Sequence, residues 1–207
     1  MSISVACHLP SDAQFLEQAK RQGQDASSVH MRRIILTGAP GAGKTTLLAA
    51  LRERGFATVD DSARALIRER IARNLPPRPA ALEFAREVLR REITSYRLAP
   101  DGGLVFFDRS VIEALYMLNE AGGLQPHELR DHLARYPYCR RVFILPPWEA
   151  IYATDAERDQ SFSEALRVHQ VIVRCYHEFG YELLEVPPDS VVARCDHILQ
   201  ALTSSDA

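Results

Sequence analysis

Ile34-Ile35-Leu36-Thr37-Gly38-Ala39-Pro40-Gly41-Ala42-Gly43-Lys44-Thr45-Thr46 runs from an apolar segment into a glycine-rich stretch closed by a lysine and two threonines. The apolar residues read as a strand, the glycines as a loop, and Lys44 as the first residue of a helix. The spacing G-x-x-x-x-G-K-[ST] between strand and helix is that of a phosphate-binding loop. Glycine lets the backbone curl so that successive N–H groups point inward at phosphate oxygens, and the helix start adds its unpaired N–H groups and positive dipole end. Gly38, Ala39, Pro40, Gly41, Ala42, Gly43, Lys44, Thr45 and Thr46 are therefore expected to hold a nucleoside triphosphate, ATP or GTP. Lys44 would reach its β- and γ-phosphates, and the Thr45 hydroxyl would bind Mg²⁺.

The 207-residue chain is long enough to bury one full core. Its residues are 46% hydrophobic and 25% charged, with a net charge of −2, so no basic excess points to nucleic acid. No apolar run approaches a membrane span, and the first residues lack a basic-then-apolar secretory pattern. Cys7, Cys139, Cys175 and Cys195 are scattered without a C-x-x-C pair, which suits reduced thiols in a cytoplasmic protein. Cys175 and His177, like Cys195 and His197, are two apart in segments of helical period. They point to different helix faces and would chelate a metal poorly. Oligomeric state has no signature in the composition.

Residues 1–30 are polar and without a sustained period, and are expected to form a peripheral extension, with a short helix over 12–21 as one option. Residues 31–207 then alternate between strand and helix. Strands are expected at 33–37, 56–60, 104–107, 142–145 and 182–186. Helices are expected at 44–54, 62–74, 80–98, 111–121, 126–136, 163–179 and 190–202. Strands apolar on both faces between helices predict a parallel sheet covered on both sides with right-handed crossovers. The expected fold is a three-layer α/β P-loop fold on a five-stranded parallel sheet.

Leu104-Val105-Phe106-Phe107-Asp108-Arg109-Ser110 puts Asp108 at the carboxyl end of an inner strand, the edge where ligands bind in such sheets. A carboxylate there orients the Mg²⁺ shell; the alternative is a cap on the next helix. Arg109 presents a bidentate fork suited to phosphate, or a plain salt bridge. Asp60 and Asp61 close the second strand with Arg64 a turn beyond, either as acceptor ligands or as a helix cap. The charged segment 152–161 reads as a lid that brings Arg158 to the transferring group, or as a solvated helix start. Trp148, after Pro146-Pro147, reads as a packing residue.

From about Met31 to Leu202 the chain resembles the small stand-alone P-loop ATPases grouped as an AAA domain, and through them the ribosylnicotinamide kinase-like and deoxynucleoside kinase-like P-loop kinases. The resemblance rests on Thr37 to Thr46, on Asp61-Ser62-Ala63-Arg64, and on Val105-Phe106-Phe107-Asp108-Arg109. It extends through Leu145-Pro146-Pro147-Trp148-Glu149, Thr154-Asp155-Ala156-Glu157-Arg158, Ser161-Phe162 and Gly180-Tyr181-Glu182-Leu183. It implies triphosphate binding on a nucleoside-kinase-like architecture. Asp61 and Arg64 would face an unidentified small-molecule acceptor, Asp108-Arg109 would be the acidic–arginine pair, and Arg158 the lid arginine. The chain carries aspartate at 60–61 where many relatives carry a glutamate. Two functions fit: γ-phosphoryl transfer to a small molecule by Lys44, Asp61, Asp108, Arg109 and Arg158, or a nucleotide switch read by a partner.

Overall fold

The computed structural model describes residues 33–153 and 161–203. The 1–30 extension, its 12–21 helix and Arg158 lie outside them. Five strands form one sheet: β1 (Arg33–Gly38), β2 (Ala57–Val59), β3 (Val105–Asp108), β4 (Arg141–Leu145) and β5 (Glu182–Glu185). Their order is β2-β3-β1-β4-β5 and every neighbouring pair is parallel. The helices are α1 (Lys44–Glu53), α2 (Ser62–Ala72), α3 (Ala81–Leu98), α4 (Val111–Glu120), α5 (Pro126–Arg135), α6 (Phe162–Glu178) and α7 (Val191–Thr203). A short 3₁₀ turn spans Glu149–Ile151.

Alternation along the inner strands divides the core in two. Ile34 and Leu36 of β1, Phe106 of β3 and Phe143 and Leu145 of β4 face α1 and α7. Ile35, Phe107, Val142 and Ile144 face the other side, against α2, α3, α4 and α6. Each such side chain withdrawn from water contributes about 2 kcal/mol. The inner strands β1 and β3 are buried along their whole length, whereas edge strands β2 and β5 are only partly covered. This is why β1 and β3 read as continuous apolar runs.

The sheet order fixes where a ligand can sit. The chain leaves β1 through α1 on one face, and leaves β3 through α4 on the other. Between those divergent exits a crevice opens at the carboxyl ends of the strands. Leu36 pairs with Asp108 and Gly38 with Leu145, so β1 ends between the tips of its two neighbours.

Gly38 has φ 134, and a Cβ there would lie 2.2 Å from the Leu145 carbonyl oxygen. Backbone of a neighbouring strand cannot yield, so both space and conformation demand glycine. Gly55 (φ 93) has nothing within 4 Å of its Cβ position. Gly38→Ala should therefore destabilise the fold by well over the ~1–2 kcal/mol that a left-handed alanine alone costs, while Gly55→Ala should stay in that range. Urea unfolding of the two variants measures the difference.

Candidate active site

The loop between β1 and α1 starts the helix without help from side chains. Gly43 caps α1 in the left-handed region (φ 82), with no capping side chain and no acid in the first turn. By contrast Asp61 caps α2, Ser110 caps α4 and Ser161 caps α6. The α1 N–H groups and dipole end are therefore left for an anion from outside the fold. Thr45 and Thr46 are exposed there.

Lys44 is buried, and its Nζ donates to the Gly38 and Ala39 carbonyls at 2.9 and 3.0 Å. Burial, followed by repulsion from Arg109, lowers its pKa to about 8 against the pull of Asp108, Asp61 and Glu113. A bound phosphate would restore the ammonium's favourable surroundings.

Asp108 is 5% exposed, and its Oδ1 is buried without a hydrogen-bond partner among the described residues. Burial raises its pKa, with Lys44 drawing it back. A carboxylate oxygen kept free at this edge fits a hard cation, whose ligands are oxygens. Thr45 and Asp108 are the residues that would hold Mg²⁺, which would neutralise charge on the phosphates.

Arg109 follows β3 with φ 71, its N–H donating to the Leu36 carbonyl at 3.0 Å. That left-handed turn carries its guanidinium between two acids, with Nε to Asp61 Oδ2 at 3.1 Å and Nη1 to Glu113 Oε2 at 2.5 Å. Burial works against the Arg109 charge, but Glu113, Asp61 and Asp108 outweigh it and hold it protonated. Glu113 also accepts from the Thr37 hydroxyl at 2.5 Å and from Tyr176 at 2.9 Å. Asp61 Oδ1 accepts from the Ala63 and Arg64 N–H groups at 2.8 and 3.0 Å. Asp61 thus caps α2 through one carboxylate oxygen and pairs with Arg109 through the other.

Lys44, Thr45, Asp61, Asp108, Arg109 and Glu113 line one cavity of about 750 Å³. Gly41, Gly43, Lys44, Thr45 and Thr46 form one end. Asp61, Arg64, Phe84, Glu92, Arg109 and Glu113 lie on its wall as well. Trp148, expected to be packing, also lines it: Arg194 lies 5.7 Å from the Trp148 ring centre. Arg194 donates to the Ala42 carbonyl at 2.9 Å and so ties α7 to the phosphate loop. Its Nε is buried without a partner among the described residues, and burial lowers its pKa.

Glu92, Glu113, Tyr176 and Arg194 escaped the sequence reading. Three carried a legible signal. Glu92 stands on the buried stripe of α3 with Ala85, Val88 and Tyr96, and Arg194 on that of α7 with Ile198. A charge at an apolar stripe position is worth inspecting because burying it is costly. Arg109 and Glu113 were also legible as an i,i+4 pair.

A model of the AAA domain family matches residues 33–194. The chain belongs to that AAA domain family. Over 70 residues it is 37% identical to a nucleotide-binding protein of Granulibacter bethesdensis, a match covering 34% of this chain but only 20% of that relative's length. Among solved structures it resembles the NadR protein in complex with NR, with a TM-score of 0.58 and 16% identity over 84% of this chain and 50% of that one. The deoxyadenosine kinase of M. mycoides also gives 0.58, with 14% identity over 83% of this chain and 99% of the kinase. The shikimate kinase of Acinetobacter baumannii gives 0.53, with 17% identity over 87% and 97%. At these identities the likeness is one of fold: this AAA domain is built as P-loop kinases are. Among its described residues no helix is long and apolar enough to cross a membrane.

Glu92 is 3% exposed, and its carboxyl bonds to Ser62, accepting from the N–H at a long 3.4 Å and meeting the Ser62 side chain. Burial, with Asp61 and Glu113 adding to it, raises its pKa to about 8 against the Ser62 bond. The folded protein then holds a proton between about pH 4.5 and 8 that the unfolded chain releases. Stability from this group is therefore present at acid pH and lost as pH rises through that window, at up to about 1.4 kcal/mol per unit. Glu92→Gln should flatten this slope and gain on the wild type between pH 5 and 8. Parallel urea titrations across that range check it.

Proposed function

We propose that this AAA domain is a Mg²⁺-dependent phosphotransferase that moves the γ-phosphoryl group of ATP or GTP to a small-molecule acceptor. The observation that carries the reading is the extent of the cavity. It continues beyond the phosphate loop to a wall holding Asp61, Arg64, Phe84 and Glu92. A nucleotide switch has need only of the donor end. The kinase-like fold supports the same reading, as an analogy of architecture.

In this reading the loop N–H groups and Lys44 hold the β- and γ-phosphates, and Thr45 with Asp108 holds the metal. Arg109, fixed by Asp61 and Glu113, stands beside the transferring group as charge spreads over its oxygens. The acceptor hydroxyl is oriented by Asp61. Its oxygen forms the new O–P bond, and its proton passes to the carboxylate. The bond from the γ-phosphorus to the bridging oxygen breaks, and its electron pair stays on the diphosphate. Positioning two reactants in one cavity supplies most of what such a reaction asks of a protein.

Lys44→Ala should weaken triphosphate binding by at least about tenfold, the loss of a charged hydrogen bond, in equilibrium titration. Unchanged binding would remove the donor assignment. Asp61→Asn keeps a good helix cap but weakens the Arg109 pair, so transfer should fall more than the fold's stability, which urea unfolding measures beside it. A turnover screen with Mg-ATP and Mg-GTP against nucleosides and other small hydroxyl compounds reads the second effect. Intact transfer to every accepted compound would exclude Asp61 from the acceptor's handling.

A further inference from the structure

Phe84, Val88 and Glu92 follow one another at four-residue spacing on α3, and all three line the cavity. Opposite them Ile67 of α2, Ala114 and Met117 of α4 and Val168 of α6 complete a largely apolar wall. Glu92 is the buried polar group set into α3's side of that surface. Ser62 bonds it, through a long 3.4 Å contact from its N–H and through its side chain, and no arginine or lysine neutralises it: Asp61 and Glu113 are the charges that bear on it. A buried carboxyl so placed is stable as the uncharged acid, which offers one O–H donor and one carbonyl acceptor.

The cations nearby are already committed. Arg109 is shared between Asp61 and Glu113, and Lys44 is bound to the phosphate loop. Arg64 and Arg78, also on the lining, are half-buried and exposed, where water and salt weaken their fields. With Glu92 uncharged, Asp61, Asp108 and Glu113 still face this interior against Lys44 and Arg109. A phosphate dianion placed there would meet like charge after losing its water.

We propose that this half of the cavity takes an uncharged hydroxyl compound with an apolar body, and that the Glu92 carboxyl hydrogen-bonds that body and selects it against phosphate-bearing acceptors. The inference rests on the phosphotransfer reading and names the class of its acceptor. Rejection comes from what is left unpaired: an acceptor lacking the complementary polar group would strand the buried acid.

The test uses the full chain with Mg-ATP and Mg-GTP, following diphosphate release. Nucleosides, cyclic polyols and aromatic alcohols are each compared with their phosphate monoesters and amine-substituted analogues. The neutral members should give the highest kcat/KM, by about tenfold or more over the monoesters. Glu92→Leu, which removes both polar atoms, should lower acceptor kcat/KM by about tenfold, chiefly through KM, whereas Glu92→Gln, which keeps a donor and a carbonyl, should largely retain it; nucleotide Kd is measured alongside to confirm a folded donor half. In the wild type the acceptor KM should rise as pH passes about 8, where Glu92 ionises facing Asp61, Glu113 and Tyr138; in Glu92→Gln it should stay flat. A purely structural Glu92 would not tie acceptor KM to pH. Preference for monoesters or amines, an unchanged acceptor KM in Glu92→Leu, or the wild-type pH profile persisting in Glu92→Gln overturns the inference while leaving phosphotransfer standing. Transfer to no compound at all overturns both.

Discussion

The guanidinium of Arg109, held between Asp61 and Glu113, is the contact on which the site's geometry depends. It joins three separately folded pieces: the cap of α2, the end of β3 and the first turn of α4. Taking a guanidinium out of water is costly, and two carboxylates at hydrogen-bond distance offset that cost. Removing either would leave a buried charge with half its partners. The residue also sits in a left-handed backbone conformation, which a non-glycine residue adopts only when its surroundings enforce it. Here the enforcement is visible: the Arg109 N–H extends the β1–β3 ladder to Leu36 while its side chain turns across the crevice.

From that wall the cavity divides by chemistry. The phosphate-loop end is built of backbone, with glycines, an uncapped helix start and one buried lysine, and suits a highly charged ligand whose shape is fixed. The far end is built of side chains from α2, α3, α4 and α6, mostly apolar, with Glu92 set among them. A donor common to many proteins can be held by main-chain groups that any sequence supplies, whereas an acceptor is distinguished only by side chains. The polar network behind Glu113, from Thr37 through Tyr176 to Ser110, locks β1, α4 and α6 together beneath both ends.

The sheet and the donor end were legible because their signals are local. The β1-loop-α1 run is contiguous, and Val105 to Asp108 announces a buried strand ending in an acid. The order β2-β3-β1-β4-β5, by contrast, is not selected by that alternation, since right-handed crossovers fit more than one order. The proposed acceptor end was only partly legible, since it is assembled from helices far apart in the chain. Asp61 and Arg64 could be singled out by proximity to a strand end. Glu92 hid inside a helix whose amphipathic period explained every neighbour, and Trp148 looked like packing because its partner, Arg194, lies on α7 near the other end of the domain. Such pairings are tertiary facts, and no window of sequence contains them.

In the proposed function, β1 and β3 together hold a metal-bound triphosphate through Lys44, Thr45 and the free oxygen of Asp108. The most direct measurement is the affinity for ATP and GTP with and without Mg²⁺, in the wild type and in Asp108→Asn. A substantial Mg²⁺-dependent gain in the wild type that largely disappears in the variant is the predicted result. The same Mg²⁺ dependence in both proteins would contradict it.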